Sequence, residues 1–176
     1  MASLNTVKKA VDRKSLQIAT LDTIAELTAI KVARWQKRET ARLLTSQDDN
    51  VYIFPTKKGY KIGKFTITGY NNYWEVTAPR VTERFSTKAQ AVIYSTLLHR
   101  GQDQLAKDFR EHNRLVDKYT TDIMYYKHNI KQSKDEFRRD ALYNRLEDSA
   151  YHLAAAQNNL KKTIISAKYI KLWEEN

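Results

Sequence analysis

Two periods alternate along this chain. From Leu4 to Leu44 the apolar positions recur every three or four residues, through Leu4, Val7, Val11, Lys14, Ile18, Leu21, Ala25, Thr28, Val32 and Trp35. This is a heptad seam with polar lapses at Lys14 and Thr28, and no Gly or Pro interrupts it, so the pattern predicts one long helix capped at Ser3 or Asn5. A second apolar strip, Leu16, Ile24, Leu27 and Ile30, runs beside the seam. One seam needs one partner helix, whereas a wider face needs a bundle or a larger surface. Ser46 to Asn50 reads as a polar linker.

The period then drops to two. Val51 to Phe54 is a short apolar run stopped by Pro55, and Lys57-Lys58-Gly59 reads as a turn. Lys61 to Thr68 predicts one strand with Ile62, Phe65 and Ile67 inside and a bulge or bend at Gly63. Gly69-Tyr70-Asn71-Asn72 reads as a hairpin loop, and Tyr73 to Thr77 as a strand with Trp74 and Val76 on one face. After the turn Ala78-Pro79-Arg80, Val81 to Phe85 is a further strand with Val81 and Phe85 inside. Ser86 or Thr87 caps a helix whose inner face is Ala89, Val92, Ile93, Thr96 and Leu97, ended or bent at Gly101. Trp74, Phe65, Phe85, Val92 and Leu97 are expected to share one small core.

Beyond Gly101 the heptads return. Leu105, Phe109, His112, Val116, Tyr119, Ile123, Tyr126 and Ile130 keep the spacing, with His112 the polar lapse. The stretch Lys131 to Asp135 loses its apolar members, and Ser133 is placed to cap a second helix. The seam resumes through Leu142, Leu146, Ser149, Leu153, Ala156, Leu160, Thr163, Ala167 and Ile170. Two helices joined by a short loop form an antiparallel hairpin, so a turn is expected between Ile130 and Glu136 in the stretch from Asp103 to Trp173.

The fold class is therefore α+β and mostly helical. A long N-terminal helix (1–46) precedes a small antiparallel sheet of three or four strands with one helix (50–101), and a coiled-coil-like helical hairpin (102–176) ends the chain. Only four glycines and two prolines in 176 residues agree with a few long helices. The N-terminal helix has two possible partners, the hairpin of its own chain or another subunit.

Charge singles out the middle. Residues 51–100 carry eight Lys or Arg against two Asp or Glu, while 1–50 carry nine against six and 101–176 fourteen against twelve. Lys57, Lys58, Lys61, Lys64, Arg80 and Arg84 fall among Tyr60, Tyr70, Tyr73 and Trp74. Cations interleaved with aromatics on a sheet suit a phosphate backbone and unstacked bases, or an acidic protein partner. The competing reading is a core of Trp74 and Phe65 with lysines protecting the sheet edges.

Site chemistry is sparse. There are no cysteines, which removes disulfides, thiolate nucleophiles and thiolate metal sites. None of His99, His112, His128 and His152 lies in HExxH or four residues from another histidine, and no phosphate-cradling glycine motif is present. His112, on the seam, reads as a half-buried histidine bonded across the helix pair. The acidic pairs Asp48-Asp49 and Glu147-Asp148 read as solvated charge. Neither a cofactor nor a metal is expected, and no enzyme is predicted. No apolar run reaches the ~18 residues of a membrane span, and the N-terminus has no apolar signal core.

Residues 73–98, YWEVTAPRVTERFSTKAQAVIYSTLL, resemble strand–turn–strand–helix units of DNA-binding sheet domains of the AP2 and integrase arm-binding type. The glycines and arginines of the first AP2 strands are missing. The combination of GYKIGKFTIT with a helix carrying Asp117, Tyr119, Asp122, Ile123, Met124, Tyr125, Tyr126, Lys127 and His128 is similar to proteins of T4-like marine tailed bacteriophages. That resemblance spans most of 51–176. It implies a phage gene product, a virion component in the particle or the host cytoplasm, and no particular mechanism.

Taken together, the sequence predicts a non-enzymatic structural or assembly protein that oligomerises or docks through long helices. Its expected seam contacts are Val11, Ile18, Leu21, Trp35, Phe109, Val116, Ile123, Leu153 and Leu160, and its expected partners are other proteins or further copies of itself. The alternative is a nucleic-acid-binding module that uses the basic segment 57–84.

Overall fold

The structure, a computed structural model, describes residues 4–44 and 53–166. The expected cap at Ser3, the linker 46–50, the strand start at 51–52 and the seam positions Ala167, Ile170 and Trp173 lie outside them. So do the side chains of Leu4, Val7 and Val11, whose backbone is helical.

Helix α1 spans Leu4–Leu44 without a break. Five strands follow, β1 (Ile53–Thr56), β2 (Gly59–Ile62), β3 (Phe65–Gly69), β4 (Trp74–Ala78) and β5 (Val81–Phe85), then α2 (Lys88–His99), α3 (Asp103–Gln132) and α4 (Glu136–Ser166). The described residues fall into two compact units, 31–111 with 162–166 and 4–30 with 112–161, which cut across the stretches 1–46, 50–101 and 102–176.

In the first unit the strands form an antiparallel meander in chain order. It has five strands rather than three or four, for two physical reasons. Gly63 takes φ +53°, so Gly63-Lys64 is a tight turn between β2 and β3 and not a bulge within one strand. Pro55 does not stop β1, because β1 is an edge strand with only β2 beside it, and a missing N–H is tolerated on the free side. At the Pro79-Arg80 turn Arg80 has φ +66°, the left-handed position that follows Pro in a type II turn.

Strand alternation gives the sheet a buried face, with Ile53, Ile62, Phe65, Ile67, Val76 and Phe85 inside. Helix α2 packs across β2 to β5 and is buried continuously from Gln90 to Leu97, well beyond the expected inner face. The hydroxyls of Ser95 and Thr96 stay satisfied there by donating to the carbonyls of Ala91 and Val92, each at 2.8 Å. Trp74 departs from the expected core. It is only half-buried and stacks on Tyr60 with centroids 6.5 Å apart. Val81 is likewise half-buried, at the first position of the edge strand β5. Thr87 caps α2 by accepting from the Gln90 N–H at 3.2 Å. Gly101, at φ +73°, closes it with a Schellman motif in which Gln102 N–H donates to Leu97 O and Gly101 N–H to Leu98 O.

The second unit is built from one stretch each of α1, α3 and α4. Its core is Ile18, Ile123, Leu146 and Ala150, bordered by Leu21, Tyr126, Ile130, Tyr143 and Leu153. The lapse at Lys14 is explained by its ammonium, which reaches Asn144 and lies 3.7 Å from the Asp140 carboxylate on α4. Lys127 donates to Asp22 at 2.7 Å and ties α1 to α3 as well. The turn between α3 and α4 falls at 133–135, inside the expected window. Its cap is Asp135 rather than Ser133. Asp135 Oδ1 accepts from the N–H of Phe137 at 2.9 Å and of Arg138 at 3.4 Å, while Ser133 continues the end of α3 through its N–H to Asn129 O. A carboxylate at that position also favours the positive end of the helix dipole.

Candidate interaction surfaces

The seam residues whose side chains are described are turned into the chain's own cores. Ile18, Leu21, Ile123 and Leu153 belong to the three-helix core, Trp35 and Phe109 are buried in the sheet-containing unit, Leu160 is buried and Val116 half-buried. Of the two possible partners for α1, its own chain supplies the one this seam uses. His112 is half-buried on the seam, and its Nδ1 is buried with no hydrogen-bond partner, so the expected bond across the helix pair is not made by that nitrogen. His152 meets the seam instead, stacked on Tyr119 at 5.2 Å.

The second strip of α1 is not covered. Leu16, Ile24, Leu27 and Ile30 are 72, 51, 58 and 41% exposed. At 3.6 residues per turn these positions lie opposite Ile18 and Ala25, so one helix carries a satisfied apolar face and an open one. Arg13 and Asp12 fall on opposite flanks of the open strip, and Glu26 lies on the Asp12 flank. Thr20 and Thr23 sit within it and turn their hydroxyls back onto α1, donating to the carbonyls of Leu16 at 3.0 Å and Ala19 at 2.9 Å. With those hydroxyls satisfied locally, the threonines present methyl groups and add little polarity to the strip.

The basic residues of the sheet segment do not form one cluster. Lys57 and Lys58 occupy the β1–β2 turn, at the same end of the sheet as the β3–β4 loop. Lys64 and Arg80 occupy the turns at the other end, with the Lys64 ammonium 5.5 Å from the Phe65 ring centroid. Lys61 and Arg84 lie on the face away from α2. Register sets Lys61 in a row with Phe54, Thr66, Thr77 and Thr82, and Arg84 in a row with Thr56, Gly59, Thr68 and Glu75. Arg84 Nε donates to Glu75 at 3.0 Å, a bond that raises the guanidinium pKa further, and Arg84 also lies 4.7 Å over the Tyr73 ring. Tyr73 in turn stacks on Tyr70 at 4.8 Å and 21°. The sheet's other acid, Glu83, is paired with Arg110.

Comparison with protein families, curated proteins and solved structures finds no match. The surfaces therefore have to be read on their own chemistry. Among the described residues no three His, Cys, Asp or Glu side chains gather into a metal-ligating group, and no described helix is long and apolar enough to cross a membrane. Sequence periodicity locates the open strip of α1 but not which of the two strips is covered. It groups the six cations, whose separation depends on the turn at Gly63-Lys64.

Proposed function

We propose that this chain is a non-enzymatic assembly protein that self-associates through the open strip of α1. The observation that carries this reading is the exposure of Leu16, Ile24, Leu27 and Ile30 on a helix whose opposite face is already packed. Clusters of exposed aliphatic residues on one helix face mark interaction surfaces more often than scattered single ones do. A second copy is the occupant favoured by the strip's own flanks. Two α1 helices side by side and parallel bury aliphatic against aliphatic and set each Arg13 beside the partner's Asp12. An antiparallel pair places like flanks together, Asp12 and Glu26 of one copy on the acidic side of the other. Four large side chains are far fewer than the roughly 20–30 residues a side of a standard interface. The pairing is accordingly weak by itself and gains strength through avidity within a larger assembly. That the assembly is a phage particle rests on the sequence resemblance alone.

Solution mass against concentration tests this. The wild-type chain is expected to pass from monomer to dimer as concentration rises through the micromolar to submillimolar range. The L16E/L27E variant is expected to stay monomeric with unchanged helicity, since both positions are exposed in the single chain. A wild-type chain that remains monomeric throughout contradicts the proposal, as does a variant that dimerises equally well.

A further inference from the structure

The end of the sheet that carries Lys57 and Lys58 plays no part in self-association through α1, and it is built from three tied parts. Gly69 N–H donates to Lys58 O at 2.9 Å, which fixes the lysine turn against the tyrosine loop. Tyr70 N–H donates to Tyr73 O at 2.9 Å, which closes that loop on itself. Arg84 lies 4.7 Å over the Tyr73 ring, Tyr73 stacks on Tyr70 at 4.8 Å, and Tyr70 is 46% exposed. An open groove of about 540 Å³ lies here, lined by Lys58, Gly69, Tyr70, Asn71, Asn72 and Tyr73.

We infer that this groove and the adjoining open face of the sheet bind single-stranded nucleic acid. The charge is complementary: Lys57, Lys58 and Lys61 are exposed, while both acids of the sheet, Glu75 and Glu83, are already paired with arginines. Phosphates need cations that are not neutralised by neighbouring carboxylates, and these three lysines meet that condition on the face and end where the tyrosines stand. The stack supplies the second half of the recognition. A base placed on the outer face of Tyr70 extends the series Arg84, Tyr73, Tyr70 by one more ring. Base faces are available for such stacking only when the strand is single, because a duplex hides them between neighbouring pairs. The Asn71 and Asn72 amides, exposed beside Tyr70, offer both donors and acceptors to base edges. An acidic polypeptide would satisfy the lysines but has no use for a preformed aromatic stack. Lys64 and Arg80, at the other end of the sheet, lie outside the site.

The test is fluorescence anisotropy of the full chain with labelled oligothymidylate, a 20-base-pair duplex and polyglutamate between ~50 and ~200 mM salt. Oligothymidylate is expected to bind tighter than either competitor, with a slope of log K against log salt that falls by about 2 in the K57Q/K58Q/K61Q variant, at about 0.7 per single-strand phosphate contact. Tyr70→Ala is expected to weaken binding roughly fivefold to a hundredfold with the salt slope unchanged, and Tyr70→Trp to retain it, because stacking is lost in the first and kept in the second. Circular dichroism confirms that each variant is folded, as exposed positions allow. Equal binding of duplex or polyglutamate, no binding at ~50 mM salt, or full affinity in Tyr70→Ala overturns the inference.

Discussion

The sheet unit and the helical unit distribute their apolar residues in opposite ways. In the sheet unit they turn inward: Ile62, Ile67 and Val76 have no exposed surface, and α2 is buried along eight consecutive residues. Its exposed aromatic exceptions, Phe54 and Tyr70, stand on the open face and on the loop proposed to take nucleic acid. The helical unit has a thin core in which Ala150 is one of four members, and it leaves Leu16, Leu27, Tyr125, Phe137 and Tyr151 largely exposed. One unit is complete within the chain. The other holds itself together along one seam and keeps apolar surface in reserve, as expected of a part made to be continued by a neighbour.

If that contrast is right, the largest stability effect lies in the sheet unit. Phe85, 5% exposed and packed against the Tyr94 ring at 4.9 Å, is expected to cost roughly 3–5 kcal/mol when replaced by Ala, read by chemical denaturation. Leu146→Ala in the helical core should cost less, about 2–3 kcal/mol, because its neighbour Ala150 offers fewer atoms to lose and the thin core collapses more easily. A Leu146 penalty equal to or larger than that of Phe85 would break the comparison.

How far these positions were legible in the sequence depended on range. The seams followed from three-four spacing, because a helix keeps its phase over many residues and a single lapse such as Lys14 does not erase it. The sheet was under-counted because β2 and β3 are joined by only two residues. Ile62 and Phe65 seemed to continue one alternation, although their odd separation is the trace of the turn at Gly63-Lys64. The cap at Asp135 was hidden by Ser133, an equally good cap residue two positions earlier, and only the end of α3 decides between them. The basic surface was the least legible part. Which lysines share a face is set by turn positions, and one missed turn moved Lys64 to the opposite end from Lys58.

Smaller effects sharpen the same picture. Asp135→Ala removes the carboxylate that caps α4 and should cost about 1 kcal/mol, with helical content falling first in the helical unit. In the sheet unit, burial and then the Glu83 carboxylate hold the Tyr94 phenol above its usual range, while Arg110 acts in the opposite sense. A phenol whose pKa is raised by folding contributes stability that is complete below its ordinary value of about 10 and is lost as pH rises through the folded value. Alkaline unfolding of the wild-type chain should therefore steepen above about pH 10, and Tyr94→Phe should flatten that limb without moving the neutral-pH baseline by more than the lost hydroxyl contacts. An unchanged alkaline limb in Tyr94→Phe would show that another group controls it.

The claim on which the assembly reading turns is that two copies meet through the open strip of α1 in parallel. The chain has no cysteine, so a single introduced thiol reports position without competition. Thr20 lies within the strip, between Leu16 and Leu27 on the helix surface, and in a parallel pair each Thr20 faces its counterpart. Thr20→Cys under mild oxidation at the concentrations where the dimer forms is predicted to give a disulfide-linked dimer. Thr121→Cys, also exposed but on α3, is predicted to give none. Equal cross-linking at both sites, or none at Thr20→Cys while the mass still shows a dimer, would contradict the parallel strip.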